Sequence, residues 1–326
     1  METFLFAINA VLPLVILISI GYILKITKIC NDEFFKQANS LVFKLFLPVN
    51  LFLNVYKVES FSNVNFKTPI FALCALAFIF FFGLGTCLLA TKDNSKRGAI
   101  WQGVFRSNYA ILGIPLAGLI LGDTAISEAA VLSAFVVPAF NILAVIALSV
   151  FREDGKKPEI KKVLIGICKN PLIIGVVLGL IVLAIRALFV HLNWSFRISN
   201  VAFLNTSLEY ISRVTTPLAL IVLGGKFEFK SVVSDKKLII VGTIVRLVVV
   251  PAIVLSVACG IFHFTGASVV ALIIAFASPV AVSSAIMAQE MKADGELASS
   301  LVVSTTIGSV ITLTIIIAIV KGLGLI

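Results

Sequence analysis

Apolar residues fall along this chain in long blocks, with polar residues gathered between them. Ten blocks can be cut at charges, Asn/Asp/Gly clusters or prolines. They lie near 4–24, 37–56, 68–90, 99–121, 126–150, 164–189, 202–224, 238–261, 266–288 and 297–320. Each holds roughly the ~20 residues with which a helix spans the hydrocarbon core of a bilayer. The pattern predicts an all-α membrane protein of ten transmembrane helices. It disfavours a porin-type barrel, whose strands alternate apolar and polar residues in ~10-residue pieces. No Lys or Arg precedes the first block and no small-residue cleavage site follows it, so it is expected to be retained as a helix.

Composition agrees. Hydrophobic residues make up 60% and charged residues 13%, against ~45–50% and ~25% in soluble domains, and mean hydropathy is +1.13. A soluble enzyme, a disordered chain and a secreted disulfide scaffold are excluded. The net charge of +10 does not point to nucleic acid, because the basic residues punctuate the apolar blocks. The connections after odd-numbered segments carry seventeen Lys and Arg; the opposite side carries five (Lys57, Lys67, Arg186, Arg197 and Lys321). Such a bias puts the first group in the cytoplasm and both termini outside the cell membrane. Cys30, Cys74, Cys87, Cys168 and Cys259 form no CxxC pair and no metal-ligand spacing. They read as small apolar fillers, and no metal or cofactor is expected.

The blocks repeat. Pro13-Leu14, Ile16 and Gly21 recur as Pro171-Leu172, Ile174 and Gly179, a shift of 158. Lys44 and Pro48 match Arg213 and Pro217 at a shift of 169, and Pro115 matches Pro279 at 164. Two five-helix halves are expected, 1–150 and 164–326, joined by a charged cytoplasmic linker at 151–163. With five helices each, the second half must enter the membrane from the opposite face. That is an inverted-topology repeat, common in secondary transporters.

Segments 4 and 9 carry the candidate chemistry. In Arg106-Ser107-Asn108-Tyr109-Ala110-Ile111-Leu112-Gly113-Ile114-Pro115, the proline removes a backbone donor and clashes with the preceding turn. A helix broken at membrane depth must be buried in protein or line a cavity. Its freed amides and new N-terminus then suit an anion, and Asn108 adds a neutral donor. Pro279, Ser283 and Ser284 weaken segment 9 at the matching place. Each break alone is also compatible with a plain kink, and the serines with back-bonding to their own helix. Paired breaks in corresponding positions of two inverted halves point to a midplane substrate site.

The run Asn108-Tyr109-Ala110-Ile111-Leu112-Gly113-Ile114-Pro115-Leu116 resembles the segment-4 motif of the auxin efflux carrier family, including its bacterial malate- and malonate-permease-like members. Three further stretches resemble the same family: Glu290 to Thr306, Thr216-Pro217 to Gly224-Gly225, and Lys169-Asn170-Pro171-Leu172. The resemblance covers essentially the whole chain. It implies a ten-helix carrier with crossed, broken helices 4 and 9, and elevator-like movement of one bundle against the other. It also implies a carboxylate held near Asn108 and the crossover. Ser283 and Ser284 stand where members usually carry an Asn or a second proline.

The expected substrate-binding set is therefore Asn108, Gly113, Pro115, Pro279, Ser283, Ser284 and Asn141. The anion is to be met by neutral donors, since a fixed cation at midplane is costly when the site is empty. Arg106 and Arg246 are expected to snorkel to the cytoplasmic boundary or to serve a structural role, with substrate or gating contact as the alternative. Arg213 is expected to pair with Glu209, one turn earlier. Asn50 and Asn141 line the cavity or bond across helices, and Glu290 is interfacial or proton-coupling. His191 and His263 read as surface residues. No HExxH, GxSxG or intramembrane carboxylate pair occurs, which argues against an intramembrane enzyme. A secondary carrier of small organic anions is the leading expectation, with a channel-like anion pathway as runner-up. The expected partners are a small carboxylate and the lipid bilayer. A coupling proton or sodium ion and a homodimer stay open, and no nucleic acid is expected.

Overall fold

The computed structural model describes residues 2–56, 66–109, 113–151, 165, 168–191, 200–227 and 235–326. The expected linker lies outside them except for Phe151, as do residues 110–112 of the segment-4 motif. So do several of the basic residues counted for orientation: Lys57, Arg152, Lys156, Lys157, Lys161, Lys162, Arg197 and Lys230. The side chain of His191 lies outside the described part as well.

Among the described residues the chain is helical and has no strand. Helix α1 spans Glu2–Ile26. Helices α2 (Asp32–Leu41) and α3 (Leu47–Tyr56) run together through a π turn at Val42–Phe46. Then come α4 (Lys67–Ala90), α5 (Asn94–Phe105), α6 (Ile114–Leu121) and α7 (Asp123–Val150). Helices α8 (Pro171–His191) and α9 (Ala202–Gly225) follow. Helices α10 (Lys236–Ile244) and α11 (Val250–Gly260) are continuous through a second π turn, Val245–Val249. The last three are α12 (Gly266–Ala277), α13 (Ser283–Glu290) and α14 (Gly295–Gly322).

Asp32–Tyr56, Lys67–Ala90, Asp123–Val150, Lys236–Gly260 and Gly295–Gly322 are long and apolar enough to cross a membrane. Leu12–Ile26, Pro171–Arg186 and Gly266–Ala277 are shorter apolar stretches. Side-chain caps start several helices: Asn31, Asp93 and Asp294 accept from the amides of Phe34, Ser95 and Leu297, satisfying donors left open in a first turn. Large apolar side chains such as Phe81, Leu89 and Phe203 face outward, as they would toward lipid.

Helices α1, α2, α3, α8 and α9 pack mainly on one another. Glycines set the spacing. A Cβ on Gly224 would sit 1.8 Å from the Ile18 carbonyl oxygen, and one on Gly21 2.0 Å from that of Ile221. In the other pair, Gly175 lies under the Pro48 carbonyl and Gly179 under that of Phe52. Small residues let helix backbones approach this closely, which is how helices associate in lipid. The remaining helices form a second group around the two breaks. Its buried core includes Val104, Phe105, Ile274, Phe276 and Leu301.

The first break is not where the proline suggested. Helix α5 stops at Phe105, and Pro115 stands in the first turn of α6. There its missing N–H is one that would be unpaired in any case. Pro115 thus stands in the first turn of an α-helix, and the opening among the described residues lies at 106–108, since Tyr109 and Gly113 are helical. In segment 9 the proline acts as expected: Ser278, just before Pro279, is extended (φ −66°, ψ 153°), since an α conformation ahead of proline is disfavoured.

Candidate functional site

The two breaks meet. The Asn108 amide donates to the Pro279 carbonyl at 2.9 Å, and Ser107 forms an isolated antiparallel bridge with Val280. The Ser107 hydroxyl donates to the Ile274 carbonyl at 3.2 Å, and the Gln102 amide to that of Ser284 at 3.0 Å. The Val280 amide donates to the Thr305 hydroxyl at 3.1 Å. Backbone groups that a broken helix releases at membrane depth are paired here inside the protein.

Helices α5 and α12 both end at this point, each presenting unsatisfied carbonyls and a negative dipole end. One side chain serves both. Arg246, fully buried in the second π turn, donates from Nη1 to the Val104 and Phe105 carbonyls at 3.2 Å each. Its Nε and Nη2 donate to Ser278 at 3.0 and 2.7 Å, and Nη2 also reaches Ala275 at 3.4 Å. Of the two roles expected first, Arg246 takes the structural one and does not snorkel: its guanidinium clamps the crossover.

Arg106 does not snorkel either. It stands in the break after α5, only 3% exposed. Its Nη2 donates to Asn141 Oδ1 and to Ser283 Oγ, both at 2.8 Å, and Nη1 lies against the Met287 sulfur. Among the described residues no carboxylate pairs with it; the ion pairs there are Lys25–Asp32, Lys96–Asp235 and Glu209–Arg213.

A cavity of about 480 Å³ opens between the crossover and helices α3 and α9. Arg106, Ser107, Asn108 and Tyr109 line it from the break, Asn141 from α7 and Ser283 from α13. Across it stand Asn50 and Asn54 of α3 and Ser212, Arg213 and Thr216 of α9. Asn50 donates to Ser212 Oγ at 2.8 Å and accepts from Asn54 at 3.1 Å, tying α3 to α9. Asn108 is 3% exposed, and its side-chain nitrogen has no hydrogen-bond partner. Buried donors are almost always paired, so this one is an exception, and it stands on the cavity wall.

The structure thus brings Asn108, Asn141 and Ser283 of the expected set into one wall. It does not bring Gly113, Pro279 or Ser284 there, and the side chain of Pro115 lies outside the described part. Gly113 packs on α12, where a Cβ would lie 2.0 Å from Ile274 Cγ2. Pro279 contributes its carbonyl to the bridge, and Ser284 is buried with its hydroxyl unpaired. The expected neutral donors share the wall with a cation, Arg106. Its place beside Ser107-Asn108 was the available signal; assuming the helix ran on to the proline concealed it. Arg213 lies 3.4 Å from Glu209, as expected, and is largely exposed. Glu290 accepts from Asn39 at 2.8 Å, and its neighbour Gln289 accepts from Lys226 at 2.8 Å. His263 is exposed.

Comparison with known proteins gives the context. A family profile described as Membrane transport protein matches residues 6–317. An uncharacterized transporter of Methanocaldococcus jannaschii is 25% identical over 304 residues, covering 91% of this chain and 94% of the relative. A helical chain with membrane-length apolar spans, helices broken around a buried polar cavity, and a profile match along nearly its whole length belongs to the membrane transport protein family, the auxin efflux carriers that its motifs resemble.

Proposed function

We propose that this protein is a secondary carrier of small organic anions such as carboxylates. The anion would bind at the crossover and cross the cell membrane by alternating access. The observation that carries the reading is the unpartnered, buried Asn108 amide. It faces a cavity between two groups of helices, at the meeting point of two broken ones. A site placed between groups that can shift against each other is what alternating access requires.

The same reading includes a ten-helix inverted repeat of 1–150 and 164–326. Gly21 and Gly179, matched at the 158-residue shift, lie against Ile221 and Phe52, which match at the 169-residue shift of segments 2 and 7. Exchanging the halves therefore exchanges the contacts. The lysine-rich connections then face the cytoplasm and both termini face outside. A proton or sodium ion is the proposed coupling ion, and a homodimer is compatible with the outward apolar faces.

The test is uptake of radiolabelled acetate, succinate and citrate into proteoliposomes of purified protein. At least one should show saturable, gradient-dependent uptake. Asn108→Ala should weaken binding of that anion about tenfold to a hundredfold, as expected for one hydrogen bond to a charged group. Its melting temperature should stay unchanged, because this nitrogen has no partner to lose. Flux that never saturates would instead indicate a channel.

A further inference from the structure

Two arginines are buried at this crossover, and their hydrogen-bond balances differ. A guanidinium carries five N–H donors. All five of Arg246 meet backbone carbonyls. Arg106 directs Nη2 to the oxygens of Asn141 and Ser283 and one Nη1 donor toward the sulfur of Met287. Its Nε–H and the other Nη1 donor have no protein acceptor among these bonds. All three partners are neutral side chains, and the methionine sulfur is a weak acceptor.

The bland explanation for Arg106 is that it caps the end of α5, where it stands. That end is already served: Arg246 takes the Val104 and Phe105 carbonyls. Arg106 is therefore a charge removed from water, with no anion beside it among the described residues and no backbone terminus that needs it. Such a charge is strongly unfavourable unless a counter-charge reaches it. In a membrane protein an intramembrane cation on a cavity marks a ligand pathway. The cavity wall also holds Asn108, two residues on, with its buried nitrogen unpartnered.

We propose that Arg106 is the charge partner of the carried anion, and that Asn108 completes its grip. This rests on the carrier reading above and names the residue that makes the site prefer anions. One carboxylate oxygen accepts from the guanidinium fork, whose flat geometry suits a carboxylate, and the Asn108 amide donates to the other. Asn141 and Ser283 hold Arg106 in place while the site is empty. The arriving anion takes over part of their hydrogen bonding, so the cation is never left without acceptors.

The experiment measures binding of acetate, succinate and citrate, and of the uncharged analogues acetamide and succinamide, to purified protein in nanodiscs. Wild type, Arg106→Gln and Arg106→Lys are compared, with melting temperatures recorded alongside. Wild type should bind a carboxylate at least tenfold more tightly than its amide. Arg106→Gln should lose about tenfold to a hundredfold in affinity for the anion and lose the preference over the amide. Arg106→Lys keeps the charge but not the fork and should fall between them. Equal carboxylate affinity for wild type and Arg106→Gln, at unchanged melting temperature, overturns this inference and leaves the carrier reading standing. If Arg106→Gln does not fold, the wild-type comparison decides: succinamide bound as tightly as succinate overturns it. Failure of wild type to bind any of the three carboxylates overturns the carrier reading, and this inference with it.

Discussion

Arg246 is the residue on which the crossover depends. Without it the carbonyls of Val104, Phe105, Ala275 and Ser278 lose their donor in a region with no water to replace it. Leaving a buried polar group unsatisfied costs about 1–3 kcal/mol, and several would be left at once. Arg246→Met should therefore abolish the monodisperse, folded protein on size-exclusion chromatography in mild detergent. Lysine, with three donors on one nitrogen, cannot reach carbonyls on two helices, so Arg246→Lys should rescue little. A well-folded Arg246→Met protein would refute the clamp. Arg246 looked like a boundary residue in the sequence because its neighbours are uniformly apolar and its acceptors are remote in the chain. No local pattern distinguishes a snorkelling arginine from one that turns inward. Asn108 was legible, because it lies in a motif with Gly113 and Pro115 that marks a broken helix.

Among the elements, the close crossing of α1 with α9 gives the sharpest prediction. A methyl group on Gly224 would run into the Ile18 backbone at 1.8 Å, whereas Gly85 in α4 has open space within 4 Å. Gly224→Ala should destabilise the protein by about 1–3 kcal/mol, as overpacking does. Gly85→Ala should be neutral or slightly stabilising. Thermal unfolding of the two purified variants checks the contrast; equal melting temperatures would contradict the crossing. The existence of the helices was readable from hydropathy, but their ends were less so. Segment 4 was expected from residue 99, yet α5 begins at Asn94. Its first turn, Asn94-Ser95-Lys96-Arg97, is polar but capped by Asp93, and Lys96 is drawn to Asp235 at 2.6 Å. The π turns were not readable at all. An extra residue in one turn leaves the apolar pattern intact, and tertiary bonds such as Thr215 to the Phe46 carbonyl help to satisfy it.

For the whole molecule, the movement proposed for transport can be arrested. At the lysine-rich end Asn39 of α2 holds Glu290, and Lys226 beyond α9 holds Gln289. These contacts join the two groups of helices. Cysteines placed by Asn39→Cys and Glu290→Cys in a background without the native five, then joined by a short bis-maleimide, should block uptake while leaving anion binding measurable. Undiminished uptake after complete cross-linking would show that the groups need not separate there. The cavity itself was legible only in outline: paired breaks pointed to it and Asn50 was a candidate for its wall, but the repeat match of Pro48 with Pro217 did not say that α3 and α9 close its far side. The clamp also has a consequence for how the chain is made. Val104 and Phe105 enter the membrane 142 and 141 residues ahead of Arg246. Until then the end of α5 has no arginine to close it, and Asn108 has no Pro279 carbonyl to meet. The first half is thus an unfinished object in the bilayer, completed only when the second arrives. A chain cut between them should be left with open polar backbone in lipid, where membrane quality control would find it.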